Sequence, residues 1–389
     1  MQAVKKISRR LAVLLAAGLV AFAIPAAAQE EAAAAPGVSA ASAILIKADT
    51  GDILMEKNAY ARMPMASTTK IMTALLVAER GNLEDTLVTT REMVTVEGSS
   101  MGLQAGDTVS YHDLLYGMLL ASGNDAANTA AIAIGGSLTG FADLMNQKAA
   151  ELGLTSTHFV TPSGLDDPDH YTTAYDLARL AAYAMENPDF AAAASSKTAT
   201  LCYGNPPYKR TLSNHNKLLN RYEGCLGVKT GFTKKSGRCL VSCAERDGAR
   251  LIAVTLSAPD DWNDHTALLD YGFSLLETVD LDISLPEDSL PVAGGDADRV
   301  RLQVLPQQLS LFNGESERLE RKIYLPGFLY SPVEAGQVVG RIEYLLDGQT
   351  VAAADILAAG QVSPQPADPA AQREEVLYWL RRLIGLTVW

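Results

Sequence analysis

The chain has 389 residues and a mass of 41.4 kDa, with 48% hydrophobic residues and a mean hydropathy of +0.06, so it has apolar material for real cores and room for two ordinary domains. Disordered and fibrous classes are excluded. The 32 basic and 45 acidic side chains leave a net charge of −13, which repels phosphate backbones and argues against nucleic-acid binding.

The first residues read as an export signal: Lys5, Lys6, Arg9 and Arg10 precede an apolar run from Leu11 to Ile24, then Pro25 and the small residues Ala26 to Ala28. Residues 1–28 are expected to be cleaved. As a membrane-spanning helix, Leu11 to Ile24 would reach only about 21 Å against a hydrocarbon core of ~30 Å. Residues 29–36 form an Ala-rich flexible leader. Export places Cys202, Cys225, Cys239 and Cys243 where disulfides persist; three pairings, or free buried thiols, remain open.

From Ser42 to Glu56 the sequence alternates around Asp49-Thr50-Gly51-Asp52, a hairpin that opens the first folded domain, 37–277. From Ala66 to about Pro188 the pattern is mainly helical, with capping boxes expected at Ser110 to Asp113 and Thr173 to Asp176. Strand signals return at Thr198 to Tyr203, Cys225 to Thr230, Arg238 to Ala244 and Arg250 to Ser257. The domain is therefore read as α+β, its sheet made from both ends of the segment with helices between.

Residues 278–360 offer short alternating pieces with no helical period, which reads as a small β domain. Pro364, Pro366 and Pro369 stiffen a linker, 361–373. Residues 374–389 (EEVLYWLRRLIGLTVW) place Val376, Leu380, Leu383 and Ile384 at helical spacing, with Trp379 and Trp389 suited to a headgroup boundary. An amphipathic helix anchored on a membrane surface is expected there; a helix packed on its own protein is the alternative.

Three short segments carry the chemistry: Ser67-Thr68-Thr69-Lys70, Ser122-Gly123-Asn124 and Lys229-Thr230-Gly231. Taken singly they read as a helix N-cap, a tight turn and an edge-strand lysine. Jointly they make a site. A serine at a helix start and a lysine three residues on share one face, so Lys70, if neutral, can take the Ser67 proton. Neutrality calls for burial and a nearby positive charge, which Lys229 can supply. The Ser67 N–H can stabilise an oxyanion. Ser122 can relay a proton to a leaving amine, and the Asn124 amide can hold a substrate carbonyl. Lys229 and the Thr230 hydroxyl can grip a terminal carboxylate, with Gly231 leaving room for it.

With these segments in place, the sequence resembles the serine D-alanyl-D-alanine carboxypeptidases, the low-molecular-mass penicillin-binding proteins. The resemblance spans roughly residues 37 to 389 and includes MASTTKIMTALL, LLASGNDAA, HFVTPSGLDDPDHYTTAYDLARLA, and LSNHNKLL leading into GVKTGFTKKSGRCLVS. It implies a β-lactamase/DD-peptidase-like fold: an antiparallel sheet with helices on both faces and a helical subdomain, followed by a small all-β domain. It also implies a Ser67 acyl-enzyme that removes terminal D-alanine from peptidoglycan stem peptides and is blocked by β-lactams, with no metal or other cofactor. By the same resemblance Lys70 is the base, Ser122 the relay, Asn124 a substrate contact, Lys229 and Thr230 the carboxylate grip, and the Phe232 N–H a second oxyanion donor.

One departure stands out. Relatives that use an arginine beyond the Lys-Thr-Gly strand have no clear match here, where Ser257 to His265 occupies that region. Two rivals share the fold. A class A β-lactamase would add a deacylating glutamate, and Glu151, Glu186 and Glu223 have the wrong neighbours for it. A non-catalytic wall-binding protein would have lost motif residues, and all stand intact.

Overall fold

The alternating segment after the leader pairs with the far end of its own domain. In the computed structural model, which describes residues 34–365 together with 373, 377, 378 and 380, strand β1 (Ser42–Lys47) turns back into β2 (Ile53–Lys57). Helix α1 (Lys70–Glu79), strand β3 (Thr86–Val88), the short helix α2 (Arg91–Val94), strand β4 (Thr108–Ser110) and helices α3 (Tyr111–Leu119), α4 (Asn124–Gly135), α5 (Leu138–Glu151), α6 (Ala174–Ala184) and α7 (Pro188–Ser195) follow. Strands β5 (Thr198–Gly204), β6 (Pro207–Ser213), β7 (Cys225–Thr233), β8 (Gly237–Arg246) and β9 (Ala249–Leu256) then lead to α8 (Asp261–Ser274).

The main sheet has the order β2-β1-β9-β8-β7, all antiparallel. Side chains alternate across it. Ile44, Ile46, Ile252 and Val254 enter a core shared with α1, α3 and α6, whereas Ala43, Leu45, Leu251 and Ala253 enter a second core with Leu268 and Leu269 of α8. Covered on both faces, the central strands carry unbroken apolar runs. β7 is an edge strand, so part of its backbone is left for a ligand.

Two strands, β3 and β4, escaped the helical reading of the middle segment, and β6 beyond it carried no strand signal. β3, β4 and β6 join β5 in a second, four-stranded sheet; β3 and β4 are three residues each, too short for a period to register. The capping box at Ser110 forms in full. At Thr173 only half of it does: the Thr173 hydroxyl accepts from the Asp176 N–H, but the Asp176 carboxylate turns instead to the Ser156 N–H and the Thr157 hydroxyl.

Past α8 the chain becomes all β. Strand β10 (Leu276–Asp280) is followed by β11 (Ser289–Ala293), β12 (Arg299–Val304), β13 (Gln308–Phe312), β14 (Leu319–Tyr324), β15 (Leu329–Tyr330), β16 (Val338–Leu346) and β17 (Gln349–Ala358). β10 pairs with β13, and the rest form a sheet of order β14-β16-β17-β12-β11-β15 over a core that includes Val300, Val333, Ile342, Tyr344 and Ile356. At the junction the Lys47 ammonium pairs with the Glu315 carboxylate, both buried, and lies 4.6 Å from the centre of the Phe312 ring.

All four cysteines carry free thiols, with Cys239 and Cys243 buried. The expected signal, residues 1–28, lies outside the described residues, as does most of 374–389. Among the described residues no helix is long and apolar enough to cross a membrane.

Candidate active site

Ser67 lies in a 3-10 turn, Ala66–Thr69, that feeds directly into α1, and no side chain caps that helix. The N-cap reading of this serine is therefore overturned. Its Oγ is 3.0 Å from Lys70 Nζ, as the three-residue spacing requires. Lys70 is wholly buried and also donates to Asn124 Oδ1 at 2.6 Å and to the Ser163 carbonyl at 2.7 Å. Burial first, and then the charge of Lys229, holds its amine well below the usual lysine range, against a weaker opposing pull from Asp125. A neutral amine has two hydrogens and one lone pair. Two carbonyl-type oxygens take the hydrogens, which aims the lone pair at the Ser67 hydroxyl.

The turn is braced from behind by a segment whose sequence gave no catalytic signal. The Ser163 carbonyl meets Lys70, and the Thr73 hydroxyl donates to the Pro162 carbonyl at 2.6 Å. Gly164, at φ +83°, lies so close that a Cβ there would stand 1.9 Å from the Ala66 carbonyl oxygen. His170 accepts from the Val160 N–H on Nδ1 and so carries its proton on Nε2, 2.7 Å from the Thr69 hydroxyl, which in turn donates to the Ala66 carbonyl. Burial pushes His170 down to about 4, so it stays neutral in this chain of bonds.

Ser122 lies in the connection between α3 and α4, just before Gly123, at φ +56°, an unusual conformation for a side chain of this kind, and lines the cleft. Asn124 is the first residue of α4 and buried. Its Oδ1 accepts from Lys70 and its Nδ2 donates one hydrogen to the Glu97 carbonyl at 2.5 Å, so it orients the base, and the amide has a second hydrogen to give. Its neighbour Asp125 accepts from the Met101, Gly102 and Leu103 N–H groups and the Ser100 hydroxyl, fixing the loop that carries Ser99 along the opposite wall.

The cleft has a volume of about 350 Å³ and is lined by Ser67, Ser122, Thr230, Gly231 and Phe232 among others. Gly231 sits on the edge strand β7, where a Cβ would come within 3.1 Å of the Ser67 and Thr68 nitrogens; glycine lets the two backbones approach and keeps that corner open. Lys229 is not on the cleft surface. It stands behind it, buried, donating to the Thr230 carbonyl at 2.8 Å, and burial pushes it down to about 7.

Arg238, not among the sequence candidates, also lines the cleft. It lies opposite Phe232 across the β7–β8 pair. Its Nε and Nη2 hold one oxygen of the buried Asp261 at 2.9 and 2.7 Å, which leaves Nη1 available to the cleft. Asp261 comes from the very region, Ser257 to His265, in which an arginine was missing. The signal was present as an unmatched cation and an unmatched acid, but only register β7–β8 and the start of α8 bring them together.

With this geometry established, comparison with known proteins is direct. The family model described as D-alanyl-D-alanine carboxypeptidase matches residues 29–260, and the model of the penicillin-binding protein 5 C-terminal domain matches residues 286–363. The chain is 32% identical over 358 residues to D-alanyl-D-alanine carboxypeptidase DacF of Bacillus subtilis, covering 89% of each chain. It is 35% identical over 364 residues to DacC of Escherichia coli, covering 87% of this chain and 88% of the relative. Penicillin-binding protein 5 of Haemophilus influenzae superposes with a TM-score of 0.60 at 29% identity, over 85% of this chain and 99% of that one. The serine, the buried amine and the edge strand thus stand in a fold and a sequence shared along nearly the whole length, and the chain belongs to the D-alanyl-D-alanine carboxypeptidase family.

Proposed function

We propose that the cleft removes the terminal D-alanine from peptidoglycan stem pentapeptides through an acyl-enzyme on Ser67, and that β-lactams acylate the same oxygen. The observation that carries this reading is the Lys70 amine, buried and bonded to the two carbonyl-type oxygens of Asn124 and Ser163 beside the Ser67 hydroxyl. Lys70 takes the Ser67 proton as Oγ attacks the penultimate D-alanine carbonyl. The N–H groups of Ser67 and Phe232 receive the developing oxyanion. Ser122 relays that proton from Lys70 to the departing amine, D-alanine leaves, and Lys70, neutral again, deprotonates the water that opens the ester and returns the proton to Ser67 Oγ.

The substrate's terminal carboxylate meets the Thr230 hydroxyl and the free edge of Arg238, in the field of Lys229 behind them. The sole carboxylate among the described residues lining this cleft, Asp261, is engaged with Arg238, so a lactamase-type deacylating acid has no counterpart on this wall. A penicilloyl ester on Ser67 should therefore persist. Labelling with a fluorescent penicillin, together with D-alanine release from a pentapeptide, tests the reading: both are expected to vanish in Ser67→Ala. Rapid turnover of the penicillin would favour a lactamase, and labelling without D-alanine release a binding protein.

Exported, with residues 1–28 removed, the enzyme would work at the outer face of the cell membrane, held peripherally by residues 374–389. Deleting 366–389 should release it from the membrane fraction.

A further inference from the structure

The C-terminal sheet has two unlike ends. One faces the catalytic domain: the turn at Asp347, bonded to Arg318, lies beside Glu315, which holds Lys47. At the other end β14 finishes at Tyr324, β15 carries Leu329 and Tyr330, β16 starts at Val338 and β17 finishes at Ala358. The chain leaves the sheet here too: Pro364 bridges to Gly295, and the Gln365 N–H donates to the Gly294 carbonyl.

This far end is apolar and open. Tyr330 is 74% exposed, and Tyr324, Phe328 and Val338 are each about half exposed. Phe328 and Tyr330 stack edge to face at 5.1 Å, and the Ser331 N–H ties their loop to the Ala293 carbonyl. The rings are thus held out from the sheet, while Tyr344 of the same sheet is fully buried with its hydroxyl bonded to Asp282. The nearby cations Arg299 and Arg341 are already paired with Glu287 and Glu343, and Asp296, Asp298 and Glu334 are exposed at the same end, so the surface offers rings without a surplus of positive charge. From Gln365 to Glu374 the nine intervening steps span at most roughly 30 Å, which puts the start of the amphipathic segment within reach of this end.

We propose that this end of the β domain rests on the lipid bilayer interface, with Phe328 and Tyr330 at headgroup level as a second contact beside residues 374–389. Amphipathic aromatic rings favour that boundary, and a contact of this kind depends on buried apolar area more than on anionic lipid. The inference rests on the peripheral membrane attachment proposed above.

The test is vesicle flotation of the full chain lacking residues 1–28, on phosphatidylcholine vesicles with and without phosphatidylglycerol, comparing Phe328→Ser/Tyr330→Ser with Trp379→Ser/Trp389→Ser. Both pairs are expected to weaken partitioning, the first by roughly tenfold, with salt having little effect and hydrolysis of a soluble pentapeptide unchanged. Undiminished or stronger partitioning of the Phe328/Tyr330 variant, with loss in the tryptophan variant, overturns the proposal and leaves the C-terminal attachment standing. Binding confined to anionic vesicles and removed by salt overturns it as well. Absence of vesicle binding by the unsubstituted chain overturns both readings.

Discussion

With its hydrogens directed to Asn124 and Ser163, the Lys70 amine has one orientation in which to meet Ser67, and its protonation state then governs the reaction. The second lysine imposes the opposite demand, since Lys229 must be charged to draw in a carboxylate. Acylation of the free enzyme should therefore rise with pH as Lys70 loses its proton and fall above about pH 7 as Lys229 loses its own. A bound carboxylate restores the charge of Lys229, so the alkaline limb of kcat should lie higher than that of kcat/KM. Coincident alkaline limbs would contradict the assignment. Arg238→Ala should lower kcat/KM for a D-alanine-terminated peptide by roughly thirty-fold, the size of one charge-assisted hydrogen bond of about 2 kcal/mol. It should do so far less for the matching C-terminal amide, and equal losses on both would place Arg238 outside the carboxylate site.

At the scale of elements, the serine turn owes its shape to the segment from Pro162 to His170 as much as to its own sequence. Gly164→Ala would drive a methyl group into the Ala66 carbonyl, from a backbone conformation that side chains rarely adopt. A displacement of the turn by about 1 Å should cost on the order of a hundredfold in fluorescent-penicillin acylation, with little change in far-ultraviolet circular dichroism. The main strands, the helix starts and the three segments that meet at the cleft were legible in the sequence because periodicity, capping residues and motif spacing are local properties. Ser163 and Arg238 were not. Ser163 acts through its backbone carbonyl, which any residue possesses, and Arg238 matters because of strand register and a partner 23 positions away. Asn124 was found, but its bonds to Lys70 and to the Glu97 carbonyl were not, because they join residues 54 and 27 positions apart.

Across the whole molecule, the two domains meet at a buried ion pair. Lys47 feels an opposing cost of burial, outweighed by hydrogen bonds from its ammonium to Glu315 and Asp52, so its charge is held more firmly than usual. Lys47→Met would strand the Glu315 carboxylate with Arg318 at 3.8 Å as its remaining cation. It should cost about 3 kcal/mol and lower the unfolding midpoint in a thermal scan. Lys47→Met/Glu315→Met should recover most of that loss, because removing both charges spares the desolvation; a double variant no more stable than the single one would argue against the pair as the main junction. The two-domain division was visible as a change from helical to alternating pattern, whereas the junction depends on residues 268 positions apart.

The placement of β1 between β2 and β9 has a consequence for how the molecule is made. β2 follows β1 at once, but Ser42 also pairs opposite Leu256, roughly two hundred positions later, so the nascent amino-terminal hairpin waits for almost the entire catalytic segment to be synthesised before its second neighbour exists. Until then the turn that carries Ser67 lacks the sheet against which it is later held, so the cleft is completed only by the last strands of its own domain.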